Sequence, residues 1–243
     1  MLIVANWKCN PKSLTEAKKL FNSVAKGVKN IKKAEVVICP PFLYIASLSP
    51  GLELGAQDCF CCGGPFTGEI SPLMLKSIGV KYVILGHSKR REVLKETDEI
   101  VNRKLKAVLK AGLKPILCIG SKSKNQKQEF KEIKKQLEIA LSGINKNEVK
   151  NLVVVYEPVW AISTTKGGKV ATPKQAEQGA AFIRENLFKL FGKNIAQKLR
   201  ILYGGSVNSR NIQEFVAVDG INGALIGAAS LNAKDFIESV RKS

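Results

Sequence analysis

A carboxylate stands where an apolar run ends: Leu152 to Val155 lead into Tyr156-Glu157-Pro158-Val159-Trp160. The one histidine of the chain, His87, follows a second such run, Val83-Ile84-Leu85-Gly86. The point where a buried parallel strand leaves the core is where chemistry is placed. One carboxylate and one imidazole at comparable strand ends therefore make an acid/base pair the leading expectation. Asn6 and Lys8 follow a third run, Leu2 to Ala5. They supply a hydrogen-bonding amide and a fixed cation two residues apart, a spacing that turns both to one side of an extended segment. Two glycine-rich turns, Gly204-Gly205-Ser206 and Gly227-Ala228-Ala229-Ser230, follow further runs. Backbone amides in such turns, with a short helix N-terminus, suit a phosphate group.

Each of these features has an ordinary explanation. A lone histidine is more often a satisfied core or surface residue, and a glutamate before proline can simply end a strand. Glycine in a turn supplies positive φ routinely. What carries the reading is recurrence at the ends of several strands.

The elements that must position these residues are themselves legible. Eight short runs rich in Val, Ile and Leu alternate with longer amphipathic stretches: Leu2 to Ala5, Val36 to Cys39, Leu52 to Ala56, Tyr82 to Leu85, Pro115 to Ile119, Leu152 to Tyr156, Arg200 to Tyr203 and Ala224 to Ile226. Most are apolar at consecutive positions, as expected of strands covered on both faces. Eight such units in 243 residues predict one closed (β/α)8 barrel domain over 1–243, with eight parallel strands ringed by helices. Ser13-Leu14-Thr15-Glu16 reads as a capping box, and so does Thr172-Pro173-Lys174-Gln175, with proline at the first helical position. Leu14, Ala17, Phe21, Val24 and Val28 form the apolar stripe of the first helix.

Composition narrows the function class. A hydrophobic share of 45% with 24% charged residues fits a globular domain with a sizeable core. The start of the chain lacks the basic flank and cleavage site of a signal peptide, and no apolar stretch is long enough for a membrane span. The six cysteines (Cys9, Cys39, Cys59, Cys61, Cys62, Cys118) lack metal-ligand spacing with histidine and do not form a disulfide framework, so no metal and a reducing cytoplasm are expected. The net charge of +19 invites a nucleic-acid partner. From Lys122 to Lys135, however, the lysines sit above Phe130, Ile133, Leu137 and Leu141 at helical spacing, which is a solvated helix face. The basic field favours an anionic small-molecule substrate.

The chain resembles the triosephosphate isomerase family over essentially its whole length. The segments that carry the resemblance include Ala5-Asn6-Trp7-Lys8, Gly55-Ala56-Gln57, Phe66-Thr67-Gly68-Glu69, Gly86-His87-Ser88, Glu96-Thr97-Asp98-Glu99, Cys118-Ile119-Gly120, Tyr156 to Ile162, and Tyr203-Gly204-Gly205-Ser206-Val207. The resemblance implies a TIM barrel that interconverts dihydroxyacetone phosphate and glyceraldehyde 3-phosphate through an enediolate, without cofactor or metal. It makes Glu157 the base, His87 a neutral imidazole that polarises the carbonyl, and Lys8 and Asn6 the groups that stabilise the oxyanion. It assigns the phosphate to Ser206, to the turn amides of Gly204, Gly205, Gly227 and Ala228, and to a lid amide at Ser163 or in Lys166-Gly167-Gly168. It further implies a homodimer in which Gln57 to Glu69 inserts into the neighbouring subunit and Thr67 approaches its site. The cysteines Cys59, Cys61 and Cys62 would then lie in or near the interface.

Four features depart from the family pattern. Lys89 stands where a glutamate usually follows the histidine by two residues, and would place a second cation near Lys8 unless it turns outward or an acid compensates. Ser121 replaces the glutamate after Cys-Ile-Gly that holds a tyrosine and a tryptophan at the lid hinge. The lid itself, Ser163 to Val170, is three residues longer, and Gly227-Ala228 replaces Gly-Gly. Two other readings stand beside the isomerase: another sugar-phosphate barrel, and a catalytically impaired barrel serving as a basic binding or scaffold protein.

Overall fold

Apolar runs that cannot be hydrated must be covered on both faces, and a parallel sheet closed on itself and wrapped in helices achieves this. The computed structural model describes residues 1–48, 51–162 and 170–243. In chain order its elements are β1 (Leu2–Asn6), α1 (Leu14–Val28), β2 (Glu35–Cys39), α2 (Phe42–Ile45), β3 (Glu53–Ala56), α3 (Pro72–Ser77), β4 (Tyr82–Leu85), α4 (Ser88–Val93), α5 (Asp98–Lys110), β5 (Lys114–Ile119), α6 (Gln126–Ala140), β6 (Val153–Tyr156), α7 (Pro173–Phe191), α8 (Lys193–Ala196), β7 (Arg200–Tyr203), α9 (Ile212–Val216), β8 (Gly223–Ile226) and α10 (Ala233–Lys242). Short 3-10 turns occupy Glu148–Asn151, Val159–Ala161 and Ala228–Leu231. Each strand pairs in parallel with the next, and β8 returns to β1 with Leu2 opposite Gly223, so the expected (β/α)8 barrel is closed.

Alternation along each strand sorts its side chains into two cores. Leu2 and Val4 pack inside the barrel with Val37, Ile84, Ile116, Val155 and Leu202. Ile3 and Ala5 belong to the larger core under the helices, with Phe21, Val24, Leu105 and Ile183. Asn6 continues the row of Leu2 and Val4 and so emerges at the inner rim of the barrel.

The strand ends differ from their sequence expectation where hydrogen-bond pairing overrides polarity. Asn6 joins β1 by pairing with Cys39, while Glu35, Lys114 and Gly223 join β2, β5 and β8 opposite Leu2, Tyr82 and Leu2. Leu52 and Leu152, though apolar, stay outside β3 and β6. The polar additions are anchored at the opposite end of the barrel from Asn6. There Arg200 Nη1 lies 2.6 Å from Glu35 Oε2, Arg200 Nη2 donates to the Tyr82 hydroxyl at 3.0 Å, and that hydroxyl bonds Glu35.

The helix starts follow their capping signals, with one correction. Thr172 and Gln175 form the reciprocal box at the head of α7. At α1 the Ser13 hydroxyl accepts from the Glu16 amide, but the Glu16 carboxylate reaches back to the Lys12 amide instead of the Ser13 amide. Leu14 is 38% exposed and lies outside the stripe formed by Ala17, Phe21, Val24 and Val28. In the first turn a side chain points back toward solvent at the helix mouth.

Candidate active site

Strand ends bring the predicted residues to one rim. Asn6, Lys8, His87, Glu157, Gly204, Gly205, Ser206, Gly227 and Ala228 all line a single cavity of about 330 Å³. That is room for a molecule of a few carbons with one phosphate. Thr67 is exposed on the segment after β3 and is not among the lining residues. Ser163 and the Lys166-Gly167-Gly168 alternative lie outside the described residues.

Glu157 leaves β6 with its amide donating to Ile119 O at 2.7 Å, so the end of β5 fixes the backbone of the carboxylate. The residue is 2% exposed. The Ser88 amide donates to Oε2 at 3.0 Å, and His87 Nε2 lies 3.3 Å from Oε1. The carboxylate is therefore aligned by two consecutive residues, the N-cap and the first residue of α4.

His87 caps α4: the Lys89 amide donates to Nδ1 at 3.2 Å. An acceptor at Nδ1 places the proton of the neutral ring on Nε2, the nitrogen nearest Glu157. Burial holds the imidazole below the usual histidine range, and the charges of Lys8, Lys89 and Arg90 act in the same direction against the pull of Glu157. A neutral ring with an Nε2 proton facing the cavity can donate to a carbonyl oxygen without being a strong acid.

Lys8 reaches the cavity by a route that simple alternation does not give. Its backbone is left-handed, with φ 54. Two bonds hold that conformation: the Lys8 amide donates to Asn6 Oδ1 at 3.0 Å, and Gln57 Nε2, just past β3, donates to Lys8 O at 2.8 Å and to Cys39 O at 2.9 Å. Gln57 is thus a supporting residue, and in the sequence it is visible only within the Gly55-Ala56-Gln57 resemblance. A Cβ on Gly227 would stand 3.3 Å from Lys8 Nζ, so glycine keeps that side of the ammonium open. Burial lowers the ammonium pKa, Lys89 adds to this and Glu157 opposes it.

The other end of the cavity is built from the last two strand ends. The Gly204 amide donates to Tyr156 O at 2.8 Å, and the Ser206 hydroxyl donates to Ala161 O at 2.9 Å, tying the turn to the segment that follows Glu157. Gly227 O accepts from both the amide and the hydroxyl of Ser230 at 2.9 and 2.7 Å, which shapes the turn Ala228–Leu231. Asn208, Asn232 and Asp235 complete this end of the cavity, and Asp235 Oδ1 is already occupied by the Ser209 amide. No motif marked these three in the sequence.

The whole chain, residues 1–243, matches the family model described as triosephosphate isomerase. The chain belongs to the triosephosphate isomerase family. It is 43% identical over 249 residues to a triosephosphate isomerase of Carboxydothermus hydrogenoformans, covering 99% of this chain and 98% of the relative. It is 45% identical to one from Thermoanaerobacter sp. and 44% identical to one from Aquifex aeolicus, with 98% of both chains covered in each case. The ammonium of Lys89 lies 3.0 Å from Glu92 Oε2, and Lys122 Nζ lies 2.8 Å from Glu92 Oε1. The hydrogen bonds from Lys122 and Lys89 push the Glu92 carboxyl down to about 2. No described helix is long and apolar enough to cross a membrane, and no described group of three or more His, Cys, Asp or Glu could hold a metal ion.

Proposed function

We propose that this triosephosphate isomerase family chain interconverts dihydroxyacetone phosphate and D-glyceraldehyde 3-phosphate by proton transfer through an enediolate. The observation that carries this reading is the 3.3 Å approach of His87 Nε2 to Glu157 Oε1 across a cavity that also holds Lys8. Glu157 takes the proton from the carbon beside the carbonyl. To reach that carbon it gives up the Ser88 amide and the imidazole, which leaves a poorly solvated carboxylate that is a stronger base. His87 donates from Nε2 to the carbonyl oxygen and moves protons between the two substrate oxygens. Lys8 and Asn6 stabilise the charge that grows there. Gly204, Gly205, Ser206, Gly227 and Ala228, with a lid amide, hold the phosphate, whose binding energy fixes the reacting carbons against Glu157. Lys89 needs no scaffold role to explain it, because Glu92 neutralises it at the rim.

The same reading takes 1–243 as one domain working in the cytoplasm as a homodimer, with Gln57 to Glu69, Thr67 and the cysteines Cys59, Cys61 and Cys62 at the subunit boundary. What supports a dimer is apolar surface on neighbouring segments: Leu43 is 81% exposed, Leu73 68%, Met74 57% and Phe66 45%. Light scattering that returned a fully active monomer would remove this part.

The function is tested by steady-state isomerisation of glyceraldehyde 3-phosphate with the parent and with Glu157→Asp. Withdrawing the carboxylate by one methylene, about 1 Å or more, lowers kcat roughly 10²-fold with a small change in KM. A parent without turnover, or a variant with unchanged kcat, overturns the assignment.

A further inference from the structure

Glu129 lies on α6, whose other positions include Lys127, Lys131, Lys134 and Lys135, yet Glu129 itself is 5% exposed. Its Oε1 accepts from the Tyr156 hydroxyl at 2.9 Å and lies 3.4 Å from Trp160 Nε1. Tyr156 is the residue immediately before Glu157, and Trp160 belongs to the turn Val159–Ala161 that follows it. A single carboxylate oxygen therefore joins the two flanks of the proposed base. Ser121, where the family resemblance expects a carboxylate, is engaged otherwise: its hydroxyl accepts from the Ser123 amide at 2.9 Å and its carbonyl from the Val159 amide at 3.0 Å.

We infer that Glu129 is a positioning residue for isomerisation, supplying from α6 the anchor for Tyr156 and Trp160 that Ser121 does not supply from the end of β5. A buried carboxylate is costly unless it is hydrogen-bonded, and donors aimed at an ionised oxygen make the stronger kind of bond. Burial and the nearby Glu132 push this carboxyl above the usual range, while Tyr156 and Trp160 pull it back. Its charge is thus sustained by the two side chains that it positions. Removing the carboxylate frees the Tyr156 end of β6 and the Trp160 turn together, so the aim of Glu157 between them suffers.

The inference rests on the isomerase reading, and its test has one readout that does not. In steady-state assays Glu129→Ala lowers kcat about tenfold and raises KM several-fold, and Tyr156→Phe, which removes only the hydroxyl, changes both in the same direction. Glu129→Gln, which keeps an acceptor oxygen, stays within about threefold of the parent. Adding Ser121→Glu to Glu129→Ala recovers most of the loss, since the Ser121 backbone already touches Val159. Independently of turnover, amide hydrogen exchange at Val159, Trp160 and Ala161 accelerates about tenfold or more in Glu129→Ala and Tyr156→Phe while the strands of the barrel keep their protection. Parent-like exchange in both variants, or parent-like kcat and KM in both, overturns the inference. A parent that does not isomerise overturns the functional reading, and the exchange data still decide whether Glu129 holds the hinge.

Discussion

Lys89 points its ammonium at Glu92, 3.0 Å away on the same helix turn, and not at Lys8 across the cavity. Glu92 also holds Lys122, so two cations share one carboxylate at the rim. Exposed pairs of this kind contribute little to stability because solvent and salt screen them. Lys89→Ala therefore changes kcat/KM by about threefold or less, whereas Glu92→Gln releases both ammonium groups toward His87 and Lys8 and reduces kcat/KM more than Lys89→Ala does. Steady-state kinetics at low and high salt checks this order, and the Glu92→Gln defect shrinks as salt rises.

His87, the one histidine of the chain, gives a single imidazole signal that can be followed by nitrogen-15 NMR. Burial and the surrounding cations keep its folded pKa below the ordinary value of 6.5. The ring accordingly stays neutral, protonated on Nε2, through and below pH 6.5. The unfolded chain takes up this proton first as pH falls, so the contribution of His87 to stability is intact above about pH 6.5 and is lost progressively below it. A spectrum showing half-protonation at or above pH 6.5 contradicts this assignment.

Lys104 is the buried counter-ion of the turn behind His87. Its Nζ donates to both oxygens of Asp58 at 2.9 and 2.8 Å and also bonds Glu96, while Arg90, three residues past His87, lies 2.7 Å from Asp58. Lys104→Met leaves two buried carboxylates short of a cation and destabilises the protein by about 3–5 kcal/mol in urea unfolding. Burial already pushes the Asp58 carboxyl above its usual value, so the folded variant accepts a proton more readily than the unfolded chain. The deficit is therefore greatest near neutral pH and narrows as pH falls toward the carboxylate range. A deficit that is small, or that grows on acidification, contradicts this account.

The barrel and the Glu157–His87 pair were legible because their signals are local. Consecutive apolar residues marked the strands, and Glu157 and His87 each stand directly behind one. Residues placed by long-range partners were not legible. The left-handed turn at Lys8 is held by Gln57 from another strand end, and nothing near Lys8 in the sequence announces it. Glu92 reads as one more acid on a polar helix until Lys89 and Lys122 are seen to converge on it. Glu129 was hidden more thoroughly, since its lysine-rich surroundings suggest solvent while the side chain turns under the helix to Tyr156 and Trp160. Hydropathy records what a residue prefers on average, and a buried hydrogen-bonded carboxylate is the exception that needs its partner in view.

Because β8 pairs with β1, the barrel closes last where its first strand has waited longest. Lys8 and Gly227 face one another only after that seam forms. A nascent chain emerging from the ribosome therefore carries an unpaired β1 edge through most of its synthesis, and with it the hazard of joining another chain edge to edge. It also carries no assembled cavity in that interval. Catalytic competence arrives in one step with the last strand, so chains cut short before β8 are expected to be inert and prone to aggregate rather than partly active.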